Sequence, residues 1–399
     1  MSDAFDRARA LFFEGNERFE AARFEEAEAS FEESLALVPG RVSTLANLAA
    51  TRLELGKPEA ALVSIEEALA IDPSDLDAWL HKGIALSALG RHAEALELFD
   101  GVVEREPTRG AAWFRRGQAL QRIGRTVDAL ASFDKALARE PTLAEAWTRR
   151  GDILRDQKRL DDAAAAYEQA LAHGADPQTH RYYLAAVTGR ELPPVAPSAY
   201  VEPLFDEYAE SFEQHLVKDL KYRGHALLVD EWRALDSGRH ASAVDLGCGT
   251  GLCAPLLRGR VDRLEGVDLS SRMLEKAHAL GLYDALVQGD AVEYLRSTDR
   301  RHDLIFAADM FIYLGDLDPL FAAAARVAPS GGLFCFSAEL GSGARDYELL
   351  PSLRYAHSRQ YLQALPARHG FALRRLVEAP LREEQRQAVQ GLYVCLAKS

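Results

Sequence analysis

The sequence lacks any apolar run of the roughly 20 residues that a membrane-spanning helix requires, which predicts a protein without a transmembrane segment. Its first residues, MSDAFDRARALFFEGN, are interrupted by charges and lack the basic start and long apolar stretch of a signal peptide. Hydrophobic residues make up 48% of the chain and charged residues 27%, as in soluble globular proteins. We therefore expect a cytoplasmic protein that begins at Met1 and does not bind a membrane.

Cysteine is scarce, and no two of the cysteines form a CxxC pair. The four present are Cys248, Cys253, Cys335 and Cys395, all in apolar or glycine-rich surroundings. Zinc sites and disulfide frameworks need closely spaced or numerous cysteines. We expect buried thiols, and neither a metal site nor a disulfide framework.

An excess of basic residues is also absent, because 47 Lys and Arg face 61 Asp and Glu. Residues 1–200 carry 24 basic and 33 acidic side chains, and the remainder carries 23 and 28. Neither half offers the clustered Lys and Arg that a nucleic acid backbone requires. The sequence therefore predicts no nucleic acid partner and disfavours a polyanionic substrate.

A length of 399 residues favours two domains, and the first half contains a 34-residue repeat. Four kinds of residue recur at that interval: prolines at 39, 73, 107 and 141; small residues at 15, 49, 83, 117 and 151; alanines at 27, 61, 95, 129 and 163; and large apolar residues at 31, 65, 99, 133 and 167. Three units open with Trp79, Trp113 and Trp147, which we interpret as core residues. This pattern resembles the tetratricopeptide repeat (TPR) over residues 8–177, in five copies.

The resemblance implies an all-α solenoid whose concave groove can hold a peptide or protein partner. By analogy with the family, the groove would include Leu80, Ile84, Phe114, Gln118, Thr148, Asp152 and Arg155. The Lys and Asn pattern with which some members clamp a C-terminal carboxylate is absent. The alternative role for the array is a spacer or a brace for the second half of the chain.

Residues 177–188 predict one more helix, which would cap the solenoid and end its domain at 188. The proline-rich segment 189–200 predicts a short, semi-rigid linker. The second domain is expected at 201–399.

From residue 241 short apolar runs alternate with helical stretches, which predicts an α/β domain with a doubly wound parallel sheet. Ligands of such a sheet lie beyond the carboxyl ends of its strands. The first strand runs into the sequence Val-Asp245-Leu-Gly247-Cys248-Gly249-Thr-Gly251, whose glycines let the backbone approach a ligand. Leu252 replaces the third glycine of a dinucleotide fingerprint, and a carboxylate beside the loop suits a ligand without phosphate.

The next two strands also end in carboxylates. Asp268 can accept both hydroxyls of a ribose, and Asp290, followed by Ala291, can accept an adenine amino group. For each aspartate the alternative is a helix cap or turn. The set resembles the class I S-adenosylmethionine (SAM) dependent methyltransferases over residues 200–399, and the whole chain resembles the bacterial predicted methyltransferases with TPRs.

This second resemblance implies a mostly parallel seven-stranded sheet with an antiparallel last strand, and SAM as the cofactor. The expected cofactor contacts are Asp245, Gly247, Cys248, Gly249, Gly251, Asp268, Leu269, Asp290, Ala291, Tyr208 and Arg223. In related enzymes a leading helix folds over the cofactor. Here Phe205, Tyr208, Phe212 and His215 recur on one helix face, with Tyr222 and Arg223 after it.

The acceptor side is expected after the fourth strand, where Asp309 and Tyr313 are catalytic or positioning candidates. The sequence there lacks the NPPY-type motif of enzymes that methylate adenine or glutamine. His215 or His357 could be the general base, or either could be a helix cap or a surface residue. A second acceptor group is Arg354, Tyr355, His357 and Ser358.

Together these features predict an enzyme that transfers methyl from SAM to a small molecule or protein, with the TPR array as a docking element. The alternative is a non-catalytic SAM-binding scaffold. An NAD-dependent dehydrogenase ranks third. The sequence does not identify the acceptor or the atom that is methylated.

Overall fold

The computed structural model describes residues 2–210, 212, 222–384 and 387–399. The chain divides into two compact units. The first comprises the residues up to Gln157 together with Ala165–Ala175, and the second comprises Lys158–Ala164 and Asp176–Ser399. No helix within the described ranges combines the length and apolar character needed to cross a bilayer.

The repeat region consists of helix pairs joined by short turns. The helices are α1 (Ser2–Glu20), α2 (Phe24–Leu37), α3 (Val42–Glu54), α4 (Pro58–Ile71), α5 (Leu76–Ala88), α6 (His92–Arg105), α7 (Gly110–Arg122), α8 (Thr126–Arg139), α9 (Ala144–Asp156) and α10 (Leu160–Ala172). Where a repeat begins, a polar side chain can replace the missing helical acceptor: Asp75 accepts hydrogen bonds from the backbone of Asp77 and Ala78 and starts α5. The described structure thus confirms the predicted helical repeat array.

Small residues at the eighth position of each repeat let the two helices of a pair touch. A Cβ added to Gly117 would lie 2.6 Å from a ring carbon of Phe133, which is fully buried. The repeat tryptophans have a structural partner, since the indole N–H of Trp113 donates to the Pro107 carbonyl at 3.0 Å. Trp79 and Trp147 repeat this bond to Pro73 and Pro141. These residues therefore hold the repeat together, as the sequence predicts.

We expect Gly117→Leu to destabilise the first unit by about 2 to 4 kcal/mol, because the new side chain must displace the Phe133 ring from a filled core. The measurement is denaturant unfolding followed by tryptophan fluorescence. Val127→Ala, on the neighbouring α8, is the control: this side chain is 76% exposed, and its loss should cost less than about 0.5 kcal/mol. Equal unfolding midpoints for the two variants would contradict the packing argument.

The second unit is built on a seven-stranded sheet and a small separate hairpin. The strands are β1 (His240–Leu246), β2 (Val261–Asp268), β3 (Ala285–Gln288), β4 (Leu304–Ala307), β5 (Leu333–Glu339), β6 (Tyr347–Leu349), β7 (Tyr355–His357), β8 (Phe371–Glu384) and β9 (Gln387–Lys398). The helices are α11 (Pro177–Thr188), α12 (Ser198–Tyr208), α13 (Gly224–Leu235), α14 (Ala254–Leu257), α15 (Ser271–Ala279), α16 (Ala291–Ser297), α17 (Asp318–Val327) and α18 (Arg359–Arg368).

The sheet has the order β3-β2-β1-β4-β5-β9-β8, and β9 runs antiparallel to both of its neighbours. Two apolar clusters include sheet residues: one contains Val244, Phe311 and Phe336, and the other contains Trp232, Leu264 and Cys395. This is the predicted mostly parallel sheet with an antiparallel last strand. The fold class is confirmed.

The final hairpin is longer than the sequence pattern indicates. The segment 380–390 reads as a connection because it is polar and contains a proline, yet the ladder continues to the pair Glu384 and Gln387. A register shift between Pro380 and Arg382 accommodates the proline, which has no N–H to give to a regular ladder. This extension brings Arg382 into the interior of the protein.

The segment before the sheet packs within the second unit. The hydroxyl of Tyr182, on α11, donates to the Leu353 carbonyl at 2.6 Å, and the backbone N–H of Ala196 donates to the Tyr313 carbonyl at 2.9 Å. Val195 also bridges to Leu314. The sequence assigns α11 to the solenoid and residues 189–200 to a linker, whereas the structure groups both with the sheet. A 34-residue period cannot reveal such contacts between distant segments.

Candidate functional site

A cavity of about 500 Å³ lies at the carboxyl ends of the first four strands. Its floor includes Gly247, Cys248 and Gly249 after β1, and its wall includes Asp309 and Tyr313 after β4. The volume falls within the range of about 300 to 1,000 Å³ that is usual for small-molecule sites. The position is the one expected for ligands of a doubly wound sheet.

The glycine loop takes a backbone conformation that other residues resist. Gly247 has a φ of 65°, and a Cβ there would lie 2.9 Å from Cγ of Met310. The backbone N–H groups of Gly247 and Cys248 donate to the Val267 carbonyl, which ties the loop to β2. Gly251 does not border the cavity, and its space is occupied by Leu280 and Tyr283. The loop is thus a bare backbone surface at Gly247, Cys248 and Gly249.

Asp268 ends β2 and borders the cavity together with Leu269. Its two oxygens accept hydrogen bonds from the backbone of Gly249, at 2.8 Å, and Ser270, at 2.9 Å. Burial raises the pKa of this carboxyl, and the backbone hydrogen bonds oppose that effect. The aspartate therefore fixes the glycine loop while its side chain stays at the cavity.

Asp290 caps α16 and also borders the cavity. Its Oδ1 accepts hydrogen bonds from the backbone of Val292 and Glu293, both at 2.9 Å. One oxygen of Asp290 therefore acts as a helix cap, as the alternative interpretation proposed. The adjacent Ala291 lies in the cavity wall. The two roles are compatible because a cap uses only part of a carboxylate's accepting capacity.

Asp245 lies behind the glycine loop and does not border the cavity. It is fully buried, and its Oδ2 accepts a hydrogen bond from the Tyr283 hydroxyl at 2.7 Å. Its Oδ1 has no hydrogen-bond partner within the described ranges. Burial raises the pKa of this carboxyl to about 7, and the nearby Asp268 adds to the effect. The structure thus brings Asp268 and Asp290 to the cavity and sets Asp245 beneath it.

The predicted leading helix corresponds in part to α12, which ends at Tyr208. Phe205 and Tyr208 of α12 border the cavity, and so does Phe212, which lies beyond the end of α12. Phe205 packs edge to face against Tyr313, with ring centroids 5.5 Å apart. His215 lies outside the described residues. Tyr222 borders the cavity, but Arg223 does not, and the Arg223 backbone N–H donates to Leu381.

His357, a candidate general base by the sequence, does not border the cavity. The ring is fully buried, stacks on Tyr361 at an interplanar angle of 13°, and has Nε2 3.2 Å from the Gly315 carbonyl. Burial lowers the pKa of this imidazole to about 4. It is a core residue on β7, held neutral at physiological pH.

An ionic cluster joins the wall after β4, and sequence reasoning missed most of it. Arg382 is almost completely buried, and its guanidinium bonds to Glu339 at 2.6 Å and to Glu384 at 2.7 Å. Its Nη1 also lies 3.6 Å from Asp309. Arg354, which borders the cavity, pairs with Glu384. Glu384 is only two residues from Arg382, but Glu339 and Asp309 are 43 and 73 residues away along the chain, so the local sequence does not mark Arg382 as a buried residue.

Comparison with known families agrees with both units. A family model described as a methyltransferase domain matches residues 244–336, and two tetratricopeptide repeat models match residues 12–75 with 114–179, and 52–123. The chain combines tetratricopeptide repeats with a class I SAM-dependent methyltransferase domain. The methyltransferase match includes Gly247, Asp268 and Asp290 but ends before Arg354 and Arg382.

Curated relatives of the methyltransferase kind match parts of the chain. A malonyl-[acyl-carrier protein] O-methyltransferase from Hamiltonella defensa is 31% identical over 135 residues, which are 33% of this chain and 49% of that protein. The human methyltransferase-like protein 27 is 42% identical over 85 residues, 21% of this chain and 34% of that protein. The chain spans about half the length of these relatives or less.

Solved structures resemble each half. Magnesium protoporphyrin IX methyltransferase from Synechocystis PCC 6803, with bound SAH (S-adenosylhomocysteine), is 15% identical, with a TM-score of 0.39 over 51% of this chain and 100% of that chain. A thermophilic TPR protein from Thermus thermophilus is 25% identical, with a TM-score of 0.40 over 45% of this chain and 98% of that chain.

Proposed function

We propose that this protein transfers the methyl group of SAM to a small-molecule or protein acceptor, and that the TPR array docks the acceptor or a partner. The observation that carries the proposal is the cavity in which a glycine loop, Asp268 and Asp290 converge. SAM carries an ammonium and a sulfonium charge and no phosphate. Acidic strand ends beside a bare backbone suit such a ligand better than they suit a pyrophosphate.

The residues around the cavity fit SAM in chemistry. Asp268 would accept the ribose hydroxyls, Asp290 and Ala291 would contact the adenine, and the backbone at Gly247 to Gly249 would lie along the methionine part. Asp245 lies buried beneath that loop, its Oδ1 has no hydrogen-bond partner among the described residues, and its ionised form would add a further negative charge there. Tyr208 on α12 would cover the cofactor, and we do not propose Arg223 or Gly251 as direct contacts.

Bound SAM supplies an activated methyl group with a neutral leaving group, so the protein needs no covalent nucleophile. The chain must hold the acceptor in line with the methyl–sulfur bond of SAM and exclude water. Phe205, Phe212 and Tyr313 form an apolar wall suited to that task, and Asp309 would accept a proton or a hydrogen bond from the acceptor. His215 stays a candidate base on the sequence argument alone.

Ligand-induced stabilisation tests the cofactor. We expect SAM and SAH to raise the thermal unfolding temperature of the full chain, and NAD to leave it unchanged, because only a ligand of the native state stabilises it. At a concentration of about 100 times the Kd the stabilisation is about 2.7 kcal/mol. A response to NAD and none to SAH would favour the dehydrogenase.

Methyl transfer separates the enzyme from the non-catalytic scaffold. Full-length protein and methyl-labelled SAM are incubated with a cell extract, and labelled products are identified by mass spectrometry. We expect label in one small molecule or protein, and none when Asp268→Ala protein is used. SAH binding without any labelled product would favour the scaffold. A chain without residues 1–175 that keeps the same products would remove the docking role of the array.

A further inference from the structure

Asp309, at the wall of the cavity, has a carboxylate oxygen, Oδ1, with no hydrogen-bond partner among the described residues. It has a φ of 60°, an uncommon conformation for a residue other than glycine, and its backbone N–H donates to Ser337 Oγ at 2.9 Å. Its side chain is 17% exposed, and its ion-pair partner Arg382 lies at 3.6 Å, beyond hydrogen-bond distance. Because an unsatisfied, largely buried carboxylate oxygen is costly, a ligand in the cavity that donates a hydrogen bond to Asp309 would be favoured.

Two cations lie near Asp309. Arg354 borders the cavity and pairs with Glu384. Arg382 does not border the cavity and bonds to Glu339 and Glu384, while its Nη1, which has no hydrogen-bond partner among the described residues, lies 3.6 Å from Asp309. These two guanidinium groups face three carboxylates, which leaves one negative charge in excess. Arg354, the guanidinium that borders the cavity here, is therefore already paired with Glu384, and an anionic acceptor would be repelled by Asp309.

An aromatic wall stands beside this excess of negative charge. Phe205 packs edge to face against Tyr313, and Tyr208 against Phe212, with centroids 5.5 and 5.4 Å apart. Tyr313 lies close enough to Asp309 and Arg354 to interact with both electrostatically. Aromatic rings together with a carboxylate are the combination that recognises organic cations.

We propose that the methyl acceptor is an amine that enters as an ammonium ion, contacts this wall, and donates an N–H to Asp309. The inference rests on the proposed methyl transfer and names the class of its acceptor. Asp309 takes one proton from the nitrogen. The freed lone pair then forms the new N–C bond as the C–S bond of SAM breaks, and that bonding pair stays on sulfur in SAH.

The test uses the full chain saturated with SAH, and calorimetric titration with benzylamine, benzyl alcohol and benzoate as probes. These have a similar shape and carry a positive, zero and negative charge near pH 7.5. We expect benzylamine to bind at least about tenfold more tightly than benzoate, with benzyl alcohol between them. Asp309→Asn should weaken benzylamine at least about tenfold, since it removes the charge but keeps the size, and Asn tolerates the positive φ.

The control is Asp299→Asn, which removes a charge from an exposed position outside the cavity and should leave all three affinities unchanged. Comparing SAM with SAH tests whether Asp309 serves the sulfonium instead. A variant that loses affinity for SAM relative to SAH, yet binds benzylamine normally, would overturn the amine proposal. So would tighter binding of benzoate, or no binding of benzylamine. Failure of SAH itself to bind would instead reject the methyl transfer function.

Discussion

Asp268→Ala is expected to lower the affinity for SAH by about 100-fold or more, because charge-assisted hydrogen bonds of about 1.5 to 3 kcal/mol each are lost with the carboxylate. The residue also holds the cavity floor, since it accepts the backbone N–H of Gly249 at 2.8 Å. Its loss therefore removes the proposed ribose contact and loosens the glycine loop at once. Calorimetric titration of the full chain with SAH measures the effect.

The matched control is Asp262→Ala, at the beginning of the same strand. That side chain is 58% exposed and pairs with Arg239, so its removal should change SAH affinity less than about twofold. Asp268→Asn gives a second measure, since it keeps an oxygen that can accept one backbone hydrogen bond. We expect its affinity to lie between those of the alanine variant and the original protein. An affinity for Asp268→Ala within about threefold of the original, with the fold intact by circular dichroism, would reject the ribose assignment.

The repeat units were predictable because their packing is local. A small residue such as Gly117 and its large partner Phe133 lie 16 residues apart, and a small and a large apolar residue recur at this spacing in each 34-residue unit. The sequence therefore repeats the same packing signal in every unit, which makes the fold of the repeats easy to predict. The parallel sheet was predictable from the alternation of strands and helices. Its antiparallel last strand was implied by the family resemblance.

The behaviour of the aspartates was only partly predictable. The sequence places Asp245, Asp268 and Asp290 at successive strand ends. It does not reveal which of the three side chains border the cavity. The side chains of a strand alternate between faces, and the direction of Asp245 depends on Tyr283, 38 residues away, whose hydroxyl bonds to it. The position of Asp245 beneath the loop depends on tertiary contacts, which the spacing of residues along the sequence does not reveal.

The acceptor side was the least predictable part of the site. Arg382 sits in a polar stretch that reads as a connection, and only the register shift in β8 turns it into the protein interior. His357 reads as a titratable group near a strand end, yet its neighbours exclude water. Both outcomes follow from contacts between residues that are far apart in the chain, which one sequence without relatives does not reveal.

Asp245→Asn is expected to stabilise the methyltransferase unit at alkaline pH. The folded-state pKa of this carboxyl is about 7, while an unfolded aspartate titrates near 3.9. The native state therefore binds the proton more tightly, and the free energy of unfolding falls as pH rises from about 4 to 7. About three pKa units correspond to roughly 4 kcal/mol. Asparagine does not titrate, so the variant should lose this contribution to the pH dependence.

Above pH 8 the variant should be more stable than the original protein by up to about 4 kcal/mol, and below about pH 4 the two should converge. Hydrogen exchange of peptides from β1, measured across pH 4.5 to 8.5 without ligand, reports this difference within the second unit.

Tyr283→Phe is the companion variant. It removes the hydrogen bond that the carboxylate accepts from Tyr283, the one found for it among the described residues, so it should destabilise the protein most at alkaline pH. If the stability of Asp245→Asn and that of the original protein depended on pH in the same way, ionisation of buried Asp245 would not be the cause of that dependence. Retention of so costly a carboxylate beneath the glycine loop is explained if it acts on a positively charged ligand above it.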